Sequence, residues 1–242
     1  MYNICTTLCW LFETIYFTPT FEVYKDVTIN FKTMKSVKFV VKALIFFCIC
    51  ITAYAQQPNM KIDSLEKWLA KYPKKDTVWV KNALSLEKMY SQMSPDKQGK
   101  YTTEIIEVSQ KLNFFRGLAM AQTYVARKLI QQGKYAEAMQ AVIVKITYDK
   151  KLNDNFELGS SYSLLGYINA LSTNYPKSLE YYLLSKTTAE KLPNNYPNKT
   201  LTLVGLNINL ASTYSVSGDP KKALGYSLEG LKLLRSKIKE VA

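Results

Sequence analysis

The 242-residue sequence predicts an all-α fold, a solenoid of stacked antiparallel helix hairpins preceded by an N-terminal signal helix. Three observations carry that expectation. Beyond Gln56 no run alternates apolar and polar residues in the manner of a strand, and turn-forming residues come at wide intervals, as between helices. The same residues recur in a frame of 40: Lys111-Leu112-Asn113, Lys151-Leu152-Asn153 and Lys191-Leu192. Ahead of the helical region stand a basic start, an apolar centre and a small-x-small end, the layout of a cleavable signal.

Residues 1–33 are aromatic and β-branched, show no clear period and match nothing later. They are expected to be an upstream extension, unstructured or untranslated, with translation starting at Met34; the alternative is a cytoplasmic tail before an anchor. Residues 34–55 are the signal peptide. Lys35, Lys38 and Lys42 precede ALIFFCICITA and then Ala53-Tyr54-Ala55, so cleavage after Ala55 leaves Gln56 as the new terminus and delivers the chain to the periplasm. A membrane span needs about 20 apolar residues. Lys42 interrupts this one, which leaves membrane attachment only as an uncleaved signal anchor. Cys48 and Cys50 lack the small-residue pattern of a lipoprotein signal.

Residues 56–242 form the repeat domain, with three to four helix pairs. A helix over Ile62 to Tyr72 precedes a degenerate first pair, Trp79 to Met93 and Lys97 to Leu112, turned at Ser94-Pro95-Asp96. In the later pairs Ala126, Gly166 and Ala211 align at spacings of 40 and 45. So do Ala138, Ser178 and Ala223, followed by Met139, Leu179 and Leu224. Small residues suit these places because two antiparallel helices approach closely only where no large side chain stands between them. Gln132-Gly133-Lys134, Thr173-Asn174-Tyr175 and Ser217-Gly218-Asp219 are the turns within pairs; Asp219 caps a helix that opens at Pro220, and in the preceding repeat Pro176 has the same role. Leu224, Leu228, Leu231, Leu234 and Ile238 fall on one face of the last helix. A lone hairpin cannot bury such a stripe, so the hairpins must stack.

Those residues carry a resemblance. Val125-Ala126, Gly133, Tyr135 and Ala138 resemble a tetratricopeptide repeat (TPR), as do Leu165-Gly166, Tyr175, Ser178, Leu179 and Leu210-Ala211, Tyr214, Gly218, Ala223, Leu224. The resemblance implies a right-handed superhelix in which first helices line the concave surface. A period of 40 or more and the lack of a proline at the repeat end point to a longer-helix variety. Long-period repeats behind an AYAQ-type signal resemble the extracytoplasmic input regions of sensor histidine kinases and regulators in Bacteroidetes-type bacteria. In those proteins a membrane helix and a kinase or DNA-binding domain usually follow; here the chain reaches Ala242 without one. It is expected to be a fragment of a longer reading frame, or to have its last helix covered by another subunit.

Composition excludes much catalytic chemistry. There is no histidine, and Cys5, Cys9, Cys48 and Cys50 all lie before position 56, so the repeat domain lacks the commonest general base and every thiolate. No catalytic residue, metal ligand set or cofactor is expected. Glu104 and Glu107 share a helix face without a cleft, and Ser160, Ser161 and Lys186 lack partners. Binding of a protein or peptide is the better function. The resemblance places Thr123, Arg127 and Gln131, then Ser163, Tyr167 and Asn169, then Asn209, Ser212 and Ser215 on the concave face, a polar surface suited to an extended backbone. The lysine-and-asparagine clamp of carboxylate-binding members is not reproduced. After position 56 there are 27 basic and 16 acidic residues, a net +11. The charges are scattered, so solvated helix faces explain them and nucleic acid is not expected as a partner. Two further readings are a basic adaptor at an anionic membrane or wall surface, and self-association through the exposed C-terminal helix.

Overall fold

The structure, a computed structural model, describes residues 61–241, with side chains as far as Lys239. The expected extension over 1–33, the signal peptide over 34–55 and all four cysteines lie outside the described residues. Among those described are nine α-helices and no strand: α1 over 61–71, α2 Thr77–Met93, α3 Thr102–Lys111, α4 Phe115–Gln131, α5 Tyr135–Lys151, α6 Asn155–Leu171, α7 Tyr175–Glu190, α8 Lys199–Val216 and α9 Pro220–Val241. From α2 on each helix packs on the next in sequence, giving four hairpins (α2/α3, α4/α5, α6/α7 and α8/α9), while α2 also touches α4 and α6 touches α8. The first helices thus lie side by side and the second helices behind them.

The 40-residue frame has a simple mechanical origin. α4, α5 and α6 are each 17 residues long, and each is followed by a three-residue turn, so successive helices begin at 115, 135, 155 and 175. In each turn the middle residue is left-handed: Asn113 (φ 51°), Gly133 (71°), Asn153 (51°), Thr173 (60°) and, after α8, Gly218 (89°). The next N–H then reaches back five residues, from Phe114, Lys134, Asp154, Asn174 and Asp219 to the carbonyls of Ser109, Leu129, Asp149, Asn169 and Tyr214, at 2.8–3.2 Å. This is the Schellman closure, and glycine or asparagine takes its middle position with least strain. The recurring Lys-Leu-Asn is this corner between hairpins. Corners within and between hairpins are therefore alike.

Two connections depart, 94–101 between α2 and α3 and 191–198 between α7 and α8. Between α7 and α8 the chain runs through Lys191-Leu192-Pro193-Asn194-Asn195-Tyr196-Pro197-Asn198, five residues longer than the three-residue turns, which accounts for the 45-residue spacing. Lys199 fastens it: its Nζ donates to the carbonyls of Glu190 (2.8 Å) and Leu192 (2.5 Å) and to Asn194 Oδ1 (3.2 Å).

Several boundaries differ from expectation. α2 begins at Thr77 because the Asp76 carboxylate accepts the N–H groups of Val78 and Trp79 at 2.9 and 3.0 Å. α3 begins at Thr102, not Lys97: Pro95–Lys97 make a single 3₁₀ turn, and Gly99 at φ 91° breaks the chain. The fully buried Glu87 organises this bend, accepting the N–H groups of Gly99 and Tyr101, each at 2.7 Å. The α6–α7 turn is Ser172-Thr173-Asn174, one residue earlier than expected, so Pro176 is the second residue of α7 and Asn174 its cap. α9 does open at Pro220, with the Asp219 carboxylate accepting from Lys222 N–H at 3.0 Å.

The core is segmented as stacking requires. Ile62 and Leu69 of α1 join Trp79, Leu86 and Tyr90 of α2 and Ile105 of α3 in one cluster. Ala126, Ala138, Val142, Leu165 and Ile168 form the next, and Tyr182, Ala189, Leu203, Leu206 and Leu210 the last.

Candidate functional site

The nine residues expected on one surface are distributed unequally. Arg127 and Gln131 are exposed on α4, one turn apart, and Gln131 Nε2 donates to Gln98 Oε1 at 3.2 Å. Tyr167 of α6 is 47 % exposed. These three rim one depression of about 350 Å³ between α2, α4 and α6, completed by Ser91, Gln98 and Leu164. Ser163 and Asn209, both half-buried, line a second depression of about 240 Å³ between α6 and α8, floored by Ser185 and Ala189 of α7. Ser160 and Thr202 add hydroxyls to it. Gly205 keeps it open, since a side chain there would meet nothing within 4 Å. Thr123, Ser212 and Ser215 line neither depression; the Thr123 hydroxyl sits 3.5 Å from the carbonyl of Ala119, and Ser212 and Ser215 are exposed.

Asn169 is not on this surface. It is 4 % exposed, and its amide donates to the carbonyl of Leu165 at 2.8 Å and faces Met139 Sδ at 3.5 Å. The reason is helical phase: Ser163 and Tyr167 lie a turn apart on one face, and a residue two beyond Tyr167 is rotated by about 200° to the opposite side.

The six small residues assigned to packing lie inside. Ala126, Ala138 and Ser178 are fully buried, and Ala211 and Ala223 nearly so. Gly166 is the tightest: a Cβ there would stand 2.8 Å from the Tyr182 ring. Burial pushes the phenols of Tyr182 and Tyr124 up to about 12.

A buried ionic cluster between α5 and α6 carries no expectation from the sequence. Lys145 Nζ contacts Asp149 Oδ1 and Oδ2 (3.2 and 3.0 Å), Glu157 Oε2 (2.9 Å) and Ser161 Oγ (2.9 Å); Ser161 in turn donates to Asp149 Oδ2 at 2.6 Å. Lys145, Asp149 and Ser161 are at most 2 % exposed. A serine hydroxyl beside a lysine ammonium has the makings of a nucleophile and base, but here the hydroxyl is sealed from substrate and the ammonium's hydrogens are shared between two carboxylates and the serine. The cluster joins one hairpin to the next. Its sequence signal is a lysine four residues before an aspartate inside an apolar run, at positions where the following repeats carry Ser185 and Ala189, then Gly230 and Leu234.

Two other catalytic candidates are paired off. Glu104 meets Lys75 at 2.6 Å on the surface, and Lys186 meets Glu229 at 2.8 Å. Among the described residues no group of three or more acidic, cysteine or histidine side chains could hold a metal ion, and no helix is long and apolar enough to cross a membrane.

No protein-family model matches the chain, and no curated protein sequence matches it. Solved structures do. BtubC from P. vanneervenii superposes with a TM-score of 0.65 at 14 % identity, over 85 % of this chain and 86 % of its own. The TPR-like repeats of a kinesin light chain from Podosopora anserina give 0.56 at 15 % identity, over 76 % of this chain and 90 % of theirs. The fold is TPR-like. MamA adds a TM-score of 0.53 at 15 % identity, over 77 % of this chain and 94 % of its own. The TPR-like architecture is thus shared at identities too low to carry a ligand or an activity across.

Proposed function

We propose that this chain is a non-catalytic protein-binding scaffold whose first-helix face takes an extended peptide, exported through the signal at residues 34–55 and serving as the input region of a sensor. The observation that carries the binding reading is the pair of depressions along the first helices. One has Arg127 for a carboxylate and Tyr167 for an apolar or aromatic group. The other is lined by short hydroxyl and amide side chains that suit backbone N–H and C=O groups. The TPR-like fold supports the same reading, because it stacks first helices into a continuous surface. Export and the sensor role rest on the sequence layout alone.

The test is a panel of labelled decapeptides with free and amidated C-termini, measured by fluorescence anisotropy. A charge-assisted hydrogen bond contributes about 1.5–3 kcal/mol, so Arg127→Ala should weaken carboxylate-bearing binders by about 10- to 150-fold and leave amidated ones nearly unchanged. Binding indifferent to Arg127→Ala, Tyr167→Ala and Asn209→Ala would rule out the groove as the binding surface. A second reading, the basic adaptor at an anionic membrane or wall surface, rests on the net +11 charge after position 56. It requires affinity that collapses with added salt, whereas groove binding persists. Export is checked by terminal sequencing of the cell-envelope fraction, where the mature chain should begin at Gln56.

A further inference from the structure

The last helix presents a face that the repeat frame assigns to a neighbour. Leu224, Leu231 and Leu234 of α9 stand 45 residues beyond Leu179, Lys186 and Ala189 of α7. There, Leu179 and Ala189 pack with Leu203, Leu206 and Leu210 of α8, and Lys186 pairs with Glu229 of α9. One hairpin earlier the equivalents are Met139, Ile146 and Asp149 of α5, of which Met139 and Ile146 pack with Leu165 and Ile168 of α6 and Asp149 bonds Ser161. In both interior cases the following hairpin covers these positions. On α9 they are open: Leu224 is 60 % exposed and Leu231 42 %, with Leu228 and Ile238 beside them at 56 % and 59 %. Ile208 of α8, 45 residues beyond the depression-lining Ser163, is open as well at 59 %.

Charge specifies what fits. At 100° per residue the exposed arc of α9 runs from Leu234 through Leu231, Leu224 and Leu228 to Lys221, Lys239 and Lys232, with Arg235 near its centre. The sequence places no carboxylate on that arc, and Lys221, Lys232, Arg235 and Lys239 make no ion pair among the described residues. Interior junctions show the complementary arrangement: Lys145 and Lys186, each on a second helix, reach forward to Glu157 and Glu229 of the next hairpin. A second copy meeting this arc symmetrically would oppose four cations to four. Leu228, Leu231, Lys232 and Arg235 line a shallow open strip along α9, the width of one helix. We infer that the outward face of α9 is a docking site for an amphipathic helix bearing carboxylates along its flank, which stacks there as α6 stacks on α5. This site is separate from the first-helix depressions.

The probe is a synthetic helix of about 20 residues with leucine at i, i+3, i+4 and i+7 and glutamate on its flanks. The control replaces each glutamate by lysine, and both are titrated against the full 242-residue chain by anisotropy. The acidic helix should bind with a dissociation constant of about 10–100 μM, and the lysine helix at least about tenfold more weakly. Leu231→Glu, at an exposed position that leaves the fold intact by circular dichroism, should weaken the acidic helix by tenfold or more. Arg127→Ala should leave it unchanged. Lys232→Glu combined with Arg235→Glu should reverse the preference between the two helices, an outcome that simple loss of structure cannot produce. Absence of acidic-helix binding at about 1 mM, or binding indifferent to Leu231→Glu, overturns the inference. So does phosphatidylglycerol-vesicle binding that depends on Leu231 and that the helix fails to displace, or a dimer at about 10 μM that Leu231→Glu dissociates.

Discussion

Replacing Lys145 by methionine should be the most damaging single change to the junction between the second and third hairpins. The substitution keeps much of the side-chain volume but removes the cation from a site where Asp149 is fully buried and Glu157 only partly so. Asp149 would keep one donor, the Ser161 hydroxyl at 2.6 Å. Breaking a buried ion pair by removing one partner costs roughly 3–5 kcal/mol, because the remaining charge is desolvated without compensation. Glu157 can turn to water, so the lower half of that range, about 3 kcal/mol, is expected. With a urea dependence of about 1–3 kcal/mol per molar, the midpoint should fall by roughly 1–3 M. The partner experiment is Lys145→Met with Asp149→Leu, which removes both charges and should recover most of the loss, as replacing whole buried pairs by apolar residues often does. Urea unfolding followed by circular dichroism measures both. If Lys145→Met costs under about 1 kcal/mol, or the double variant is as unstable as the single one, the cluster is not the junction described above.

Gly166→Ala should destabilise by about 1–3 kcal/mol despite alanine's better helix propensity, because its Cβ would press on the Tyr182 ring at 2.8 Å; Gly205→Ala, with nothing in the way, should be neutral or stabilising in the same thermal melts. Alkaline titration followed at 295 nm should show Tyr124 and Tyr182 ionising near 12, above the ordinary value near 10. Their burial favours the protonated phenol, so the associated stability is present below about pH 10 and is lost as pH rises toward 12; normal titration of both tyrosines in the folded chain would contradict their placement in the core.

The repeat frame was legible because it is enforced by backbone geometry. Left-handed corners select Asn113, Gly133, Asn153 and Gly218, and such residues stand out in a helical sequence. The finer rhythm of 20 was equally present, in Asn113, Gly133, Asn153 and Thr173, but the β-branched Thr173 disguises its last beat. The bend before α3 was not legible, since it depends on Glu87 receiving two N–H groups from a segment more than ten residues away. A glutamate on a helix gives no sign of facing inward. The same holds for Lys145, whose burial depends on carboxylates contributed partly by another helix. On the expected surface, equal spacing along the chain brings Arg127, Gln131 and Tyr167 together, whereas Asn169, two residues past Tyr167, is turned by about 200° into the interior.

Uniform corners have a consequence for how tension would travel through the stacked hairpins. A pull on the ends of the stack would meet the same hinge after α4, α5 and α6, and a longer splice at Lys191–Asn198, where Lys199 ties down the slack. The opening between α6 and α8 spans that splice, so a guest lodged in it would act as a clasp, bracing the stack across that seam.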